Sequence, residues 1–182
     1  MNDIQIVQGN ESDARLVANL YDTLNDELER GVNYPGWRKN IYPTKDTAIE
    51  GIKEGTLFVA KLDKDIVGTI ILNNDQPAAY KSLTWSISAN NEEVIVIHTL
   101  AVHPKYLRYG IARKLLEFAN IYAKTKGVST IRLDVYINNT PAIKLYESCG
   151  YRFIGNVDLG LSQYGLELFK CYDKIIIEEP NL

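Results

Sequence analysis

The sequence predicts a mixed α/β fold, with one mixed sheet carrying helices on its faces. Three observations predict it. Short runs rich in β-branched residues alternate with longer stretches whose apolar residues recur every three or four positions. Glycine, proline and capping residues punctuate the joins between them. The resulting order is β-α-α-β-β-β-α-β-α-β-β. A length of 182 residues suits a single domain, 1–182, and no internal repeat or low-complexity stretch divides it.

The first strand is DIQIVQ, which alternates polar and apolar residues. A helix follows over Ser12 to Arg30, with Leu16, Leu20, Leu24 and Leu28 on one face beside Val17, and Gly31 ends it. The loop GVNYPGWRKNIYPT carries two prolines and three aromatics. A second helix is expected over Lys45 to Glu54, capped by Thr44 and stopped by Gly55. TLFVAKL and IVGTIILN, around the polar turn DKD, form a hairpin. LTWSISANN is expected to hold a short strand with a turn. Glu93 to Val102 is strongly apolar and reads as a central strand.

The third helix covers Gly110 to Lys126, buries Ile111, Leu115, Phe118, Ala119 and Tyr122, and closes at Gly127. In STIRLDVYI, Ile131, Leu133 and Val135 share a side of the next strand. Pro141 opens the fourth helix after Thr140, and Gly150 ends it. YRFIGNV and LELFKCYDKIII supply the last two strands.

Composition excludes several classes of function. A net charge of −3 argues against broad nucleic-acid binding, which needs a basic surplus, and leaves room for a cationic substrate. Two cysteines, Cys149 and Cys171, make no disulfide framework, and with His98 and His103 they show no metal-ligand spacing, so no metal is expected. The N-terminus MNDIQIVQGN has no basic region ahead of an apolar run, and no stretch approaches the roughly 18 apolar residues of a membrane span. A cytoplasmic protein without membrane contact is the expectation.

The segment LRYGIARKLL stands between the central strand and the third helix. A helix start leaves backbone N–H groups without internal partners, and the helix dipole adds positive potential there. Gly110 and Ala112 keep side chains out of the way, and Arg108 and Arg113 add charge suited to phosphate oxygens. The turn therefore suits a pyrophosphate. It lacks the glycine spacing of a dinucleotide fingerprint or a P-loop, which disfavours NAD and ATP.

Downstream, NNTPAIKLYESCGY places Asn139, Ala142, Leu145, Tyr146, Gly150 and Tyr151 at a distinctive spacing. With LAVHPKYLRYGIARKLL and the element order, this resembles the GNAT superfamily of acyl-CoA-dependent N-acetyltransferases. The first segment is similar to that family's coenzyme A signature. The second is similar to its Asn…Ala…Tyr…Gly-Phe or Gly-Tyr motif. The motifs span about Glu93 to Phe153. One position departs: the signature's first arginine or glutamine falls on Leu107, and Arg108 is displaced by one.

The resemblance implies a central, mostly antiparallel, twisted sheet of about six or seven strands with about four helices. It implies acetyl transfer from acetyl-CoA, the co-substrate, to a primary amine by direct attack in a ternary complex. It implies coenzyme contacts from Leu100, Ala101 and Val102, from Leu107, Arg108, Tyr109, Gly110, Ile111, Ala112 and Arg113, and from Asn139 and Tyr146. Tyr146 matches the tyrosine whose phenol points at the coenzyme sulfur, where a departing thiolate needs a proton. His98 is the expected base, because a histidine's ordinary pKa near 6.5 suits taking a proton from an amine at neutral pH. Glu92 and Glu93 acting through water, and Asp134, are the other candidates. Cys149, beside a helix-ending glycine, disfavours a covalent acyl-cysteine route. The acceptor is an unidentified amine, small molecule or peptide, with Tyr34, Trp37, Tyr42 and Trp85 as candidate substrate contacts and Tyr164 beside them. A homodimer is left open.

Overall fold

Alternation in QIVQ and a phased stripe in the helix after it set the pattern that the rest of the chain repeats. The structure, a computed structural model, describes residues 4–176. The outer ends of the first and last expected strands, at Asp3 and Ile177, lie outside the described residues. Seven strands and four α-helices appear in the expected order: β1 (Gln5–Gln8), α1 (Ala14–Arg30), α2 (Lys45–Lys53), β2 (Leu57–Leu62), β3 (Asp65–Asn73), β4 (Val94–Val102), α3 (Ile111–Lys126), β5 (Thr130–Tyr136), α4 (Thr140–Ser148), β6 (Arg152–Val157) and β7 (Phe169–Ile175). The strands hydrogen-bond in the order β1-β2-β3-β4-β5-β7-β6; β1 with β2, β2 with β3, β5 with β7 and β7 with β6 pair antiparallel, and β4 with β5 pairs in parallel.

The chain divides into two compact units. Among the described residues, the first comprises 4–33, 37–72 and 98–118, and the second comprises 34–36, 73–97 and 119–176. Both β4 and α3 contribute to each.

In the first unit, β1, β2 and β3 form an antiparallel meander. Val17, Leu20 and Tyr21 of α1 close over Leu57 and Val59 of β2, Ile66 and Ile71 of β3 and Ala101 of β4. Each such side chain contributes about 1.5–3 kcal/mol by leaving water. The buried face of α1 is thus rotated from the expected leucine ladder: Leu16 is exposed, and Asn25 is buried one turn beyond Tyr21. Asn10 and Asp13 form a capping box on a 3-10 turn that leads into α1. Gly68 on β3 lets α3 approach, since a Cβ there would lie 2.8 Å from Ile111 and 3.1 Å from the Ala101 carbonyl oxygen. That contact seats the start of α3 beside the end of β4.

In the second unit, the first half of β4 pairs in parallel with β5 from Val94↔Thr130 to Ile97↔Leu133. β5 pairs antiparallel with β7, and β7 with β6. Val94, Val96, Val157, Phe169 and Cys171 form the core with Tyr80.

LTWSISANN holds no strand. Its side chains are used as anchors instead. Asp173 of β7 accepts from the Ser86 backbone N–H (2.8 Å) and the Ser86 hydroxyl (2.7 Å). The Trp85 indole donates to the Tyr80 carbonyl at 3.1 Å, and the Arg132 guanidinium lies 4.2 Å from the Trp85 ring centre. A backbone N–H given to a carboxylate is lost to any ladder, so the segment folds as a pinned loop.

Candidate active site

The turn before α3 is shaped by backbone conformation. His103 accepts the Lys105 N–H through Nδ1 at 3.2 Å, opening a 3-10 turn over Pro104–Tyr106. Arg108 and Gly110 then adopt left-handed conformations, with φ of 69° and 75°. The first closed bond of α3 runs from the Lys114 N–H to the Gly110 carbonyl at 3.1 Å. The N–H groups ahead of it have no intrahelical acceptor. A Cβ on Gly110 would meet nothing within 4 Å, so the space in front of this backbone is open. Leu107, Arg108, Tyr109 and Gly110 are exposed, as is Arg113, while Ile111 is buried and Ala112 half-buried. An anion carrying several oxygens fits such a helix start, with two arginines beside it. The group the sequence implies there, the pyrophosphate of coenzyme A, matches this donor set.

Leu100, Ala101 and Val102 are the last three residues of β4, in the same unit as the turn. The β4–β5 register stops at Ile97, before them. His98, half-buried, follows Ile97. Thr99 comes next with φ of 43°, a left-handed residue inside a strand. Its hydroxyl and that of Tyr42 share a hydrogen bond. Trp37 lies edge-on to Tyr42, with ring centres 5.7 Å apart, and packs on the first core.

The second unit holds the other expected residues. Tyr146 is buried in α4, edge-on to Tyr151 at 5.9 Å and 6.5 Å from the Tyr172 ring. Asn139 caps α4, its Oδ1 accepting the Ala142 N–H at 3.4 Å, so the helix begins at Thr140 rather than after it. Burial raises the Tyr146 phenol well above its ordinary pKa, and the charges of Asp134 and Cys149 add to the shift. The phenol therefore stays protonated through the neutral range, as a proton donor must.

Among the alternative bases, Glu93 is taken: its carboxylate accepts the Asn90 N–H at 2.9 Å in a capping box. Glu92 is exposed. Asp134, half-buried on β5, accepts from the Tyr80 hydroxyl at 2.8 Å. Burial and the Asp134 charge hold Tyr80 protonated well above its ordinary range, which keeps this donor in place. Cys149 ends α4, its carbonyl accepting from Lys174 at 2.8 Å.

Two of the four aromatic substrate candidates lie in each unit, Trp37 and Tyr42 in the first and Tyr34 and Trp85 in the second. Trp37 and Tyr42 meet in the first unit. Trp85 belongs to the anchor around Tyr80 and Arg132 in the second, and Tyr164 packs on that unit's core. Tyr34 is exposed. Sequence reasoning missed Thr99, the Tyr80–Asp134 pair and Asn25, whose amide holds the Tyr42 and Pro43 carbonyls at 3.4 and 3.2 Å. Only Asn25 carried a signal, as a polar residue at core spacing on α1. Among the described residues, no group of three His, Cys, Asp or Glu is gathered as for a metal, and no helix is long and apolar enough to cross a membrane.

Comparison with known proteins follows the same lines. A streptothricin acetyltransferase of Escherichia coli is 33% identical over 107 residues, which is 59% of this chain and 52% of that protein. The chain spans little more than half the length of the first curated relatives it matches. A GNAT-family acetyltransferase from Streptococcus agalactiae superposes with a TM-score of 0.78 at 17% identity, covering 96% of each chain. An N-acetyltransferase from Staphylococcus aureus Mu50 does so at 0.70 and 17%, over 96% of this chain and 99% of that one. These two likenesses show the fold. The family model described as the acetyltransferase (GNAT) family matches residues 18–151, and the chain belongs to that family.

Proposed function

We propose that residues 1–182 act as one N-acetyltransferase domain that moves an acetyl group from acetyl-CoA to a primary amine by direct attack in a ternary complex. The observation that carries this reading is the turn before α3. Two left-handed positions on either side of Tyr109, Arg108 and Gly110, open the backbone ahead of a helix start and leave free space in front of it. Its N–H groups, from Gly110 to Arg113, take the pyrophosphate, with the Arg108 and Arg113 charges beside them. Leu107 and Tyr109 flank it. The backbone of Leu100, Ala101 and Val102 takes the pantetheine and supplies N–H donors for the thioester oxygen as it gains charge. Asn139 contributes by seating α4.

The chemistry needs two protons taken from the nitrogen and one given to the sulfur. An alkyl ammonium has a pKa near 10.4 and must lose a proton before its nitrogen can attack. His98 accepts that proton. The nitrogen forms a bond to the acetyl carbon, the carbon–sulfur bond breaks, and Tyr146 gives its phenolic proton to the departing sulfur. The acylated nitrogen still carries two protons, one of which passes to the Tyr146 phenolate, and His98 gives its proton to solvent, leaving an amide and a free thiol. Asp134 stands as the second base candidate, on the same unit as Tyr146.

The relative named for streptothricin supports an amine acceptor without specifying this one. Tyr34, Trp37, Tyr42 and Trp85 are the proposed acceptor contacts, whose rings suit an ammonium or an apolar amine. The acceptor is a small molecule or a peptide, in the cytoplasm, with no metal, nucleic acid or membrane involved and a homodimer as an open option. A panel of small amines and peptide N-termini, incubated with acetyl-CoA while free thiol is followed, tests the reading. Amine-dependent thiol release supports it, and its absence across the panel counts against it.

A further inference from the structure

Thr99 is conformationally out of place. A β-branched residue with φ of 43° sits inside a strand whose neighbours are extended. The left-handed region costs such a residue roughly 1–2 kcal/mol or more. A conformation of this kind persists only where the surroundings over-determine it. Thr99 is 7% exposed, and its hydroxyl is held by the hydroxyl of Tyr42.

Tyr42 is itself held. It lies on the loop between α1 and α2 and is 38% exposed, so its position does not come from burial. Its N–H donates to the Arg38 carbonyl at 3.0 Å, the Trp37 ring lies edge-on to it, and the amide of Asn25 donates through Nδ2 to the carbonyls of Tyr42 (3.4 Å) and Pro43 (3.2 Å). Asn25 is 1% exposed, and its Oδ1 has no hydrogen-bond partner among the described residues. Turning the amide over would set its oxygen against two carbonyl oxygens, so the orientation is fixed by these acceptors. A buried amide that leaves one atom unsatisfied in order to hold two loop carbonyls costs stability, about 1–3 kcal/mol for the orphaned group. The loop geometry is what that cost maintains.

We propose that Tyr42 is a positioning residue: the chain Asn25–Tyr42–Thr99 holds β4 in its left-handed kink and so aims the peptide N–H groups of Leu100 to Val102. Peptide planes after a left-handed residue are turned relative to those of an unbroken strand, so the kink decides where these donors point. Tyr42 acts through Thr99 and needs no contact with the reacting atoms. The inference deepens the acetyl-transfer reading and rests on it for its kinetic consequence alone. It also predicts that occupancy of the α1–α2 loop and the setting of β4 are coupled, because one hydroxyl serves both.

Tyr42→Phe, Thr99→Val and the double variant test it, with Thr99→Ser as the conservative control. The first readout is amide hydrogen exchange of Leu100 to Val102 in the protein without ligand. Losing one hydrogen bond should raise exchange there about 3- to 10-fold. Either single variant should suffice, the double should add nothing further, and Thr99→Ser should stay near the parent. The second readout is turnover: kcat should fall by about the same 3- to 10-fold factor, with acetyl-CoA affinity and acceptor KM within about twofold. Unchanged exchange in Tyr42→Phe overturns the proposal, as do strictly additive effects of the two single variants. A raised acceptor KM with kcat intact in Tyr42→Phe, and no effect in Thr99→Val, also overturns it, because that pattern marks Tyr42 as an acceptor contact only. Should Thr99→Val fail to fold, Tyr42→Phe and Thr99→Ser still decide. Should the parent release no thiol with any amine, the acetyl-transfer reading fails and the exchange arm still decides the clamp.

Discussion

The turn before α3 and the helix α4 are built on opposite principles. The turn works through its backbone: Leu107, Arg108, Tyr109 and Gly110 are exposed, and what distinguishes them is left-handed φ at 108 and 110. In α4 the backbone is an ordinary capped helix, and what distinguishes it is one buried phenol, Tyr146, against Tyr151 and Tyr172. A backbone site tolerates changes of side chain and fails when conformation changes. A side-chain site does the reverse. On the proposed reading, Leu107 can stand where the family's signature has arginine or glutamine, because a side chain is lost while the N–H groups remain. The proposed division is that the turn binds and the phenol reacts.

The comparison breaks most sharply at Tyr146. Tyr146→Phe removes one hydroxyl and keeps the ring packing, so the fold should hold. Turnover should fall by about 10²–10⁴-fold, toward the low end because a thiolate leaves readily. An acyl donor with a more acidic thiol should recover part of the loss. Steady-state kinetics with both donors checks this, and a parent-like rate would make Tyr146 a packing residue.

A smaller effect is expected at His98. A protonated histidine cannot accept the amine's proton, so the parent rate should fall on the acid side of the base's ionisation. His98→Gln should lower the rate and remove that limb, with recovery at higher pH where more free amine exists. The Tyr146 phenol, raised by burial, should add no limb of its own below about pH 10, the ordinary tyrosine value. A full parent pH profile in His98→Gln would move the base to Asp134 or to water.

The smallest effects belong to the exposed arginines. Arg108→Ala and Arg113→Ala should each weaken coenzyme A binding a few-fold, on the order of 0.2–1 kcal/mol, and less at high salt. Arg108→Gly should lose the same charge yet gain stability, since glycine takes φ of 69° without strain. Titrations at two ionic strengths and thermal melts separate the two terms.

The element order was legible because hydrophobic period and end signals agree along the chain. Gly31, Gly127 and Gly150 follow the ends of α1, α3 and α4. The site was legible only where it is local. LRYGIA reads as an open helix start, and the structure gives it that form. Register and long-range pinning were not legible. LTWSISANN has the composition of a strand, but Ser86 is taken by Asp173, 87 positions away. The buried face of α1 holds Val17 and Leu20 as the sequence predicts but runs on through Tyr21 and Asn25, which four leucines at spacing four outweigh in the sequence. The kink at Thr99 had no signal, since threonine in an apolar run reads as extended strand and its partner Tyr42 lies 57 positions earlier.

The most direct test of the division is a coenzyme A titration of two variants beside the parent, with NAD and ATP as controls. Gly110 needs φ of 75°, and valine there would be strained and would fill the open space before the N–H groups. No atom lies within 4 Å of the added Cβ, so the Gly110→Val protein should still fold, with its melting temperature lowered by the strain of valine at that φ. The account predicts parent affinity for coenzyme A in Tyr146→Phe, no measurable affinity in Gly110→Val, and none for NAD or ATP in any of the three. A folded Gly110→Val protein that binds coenzyme A as the parent does would contradict it.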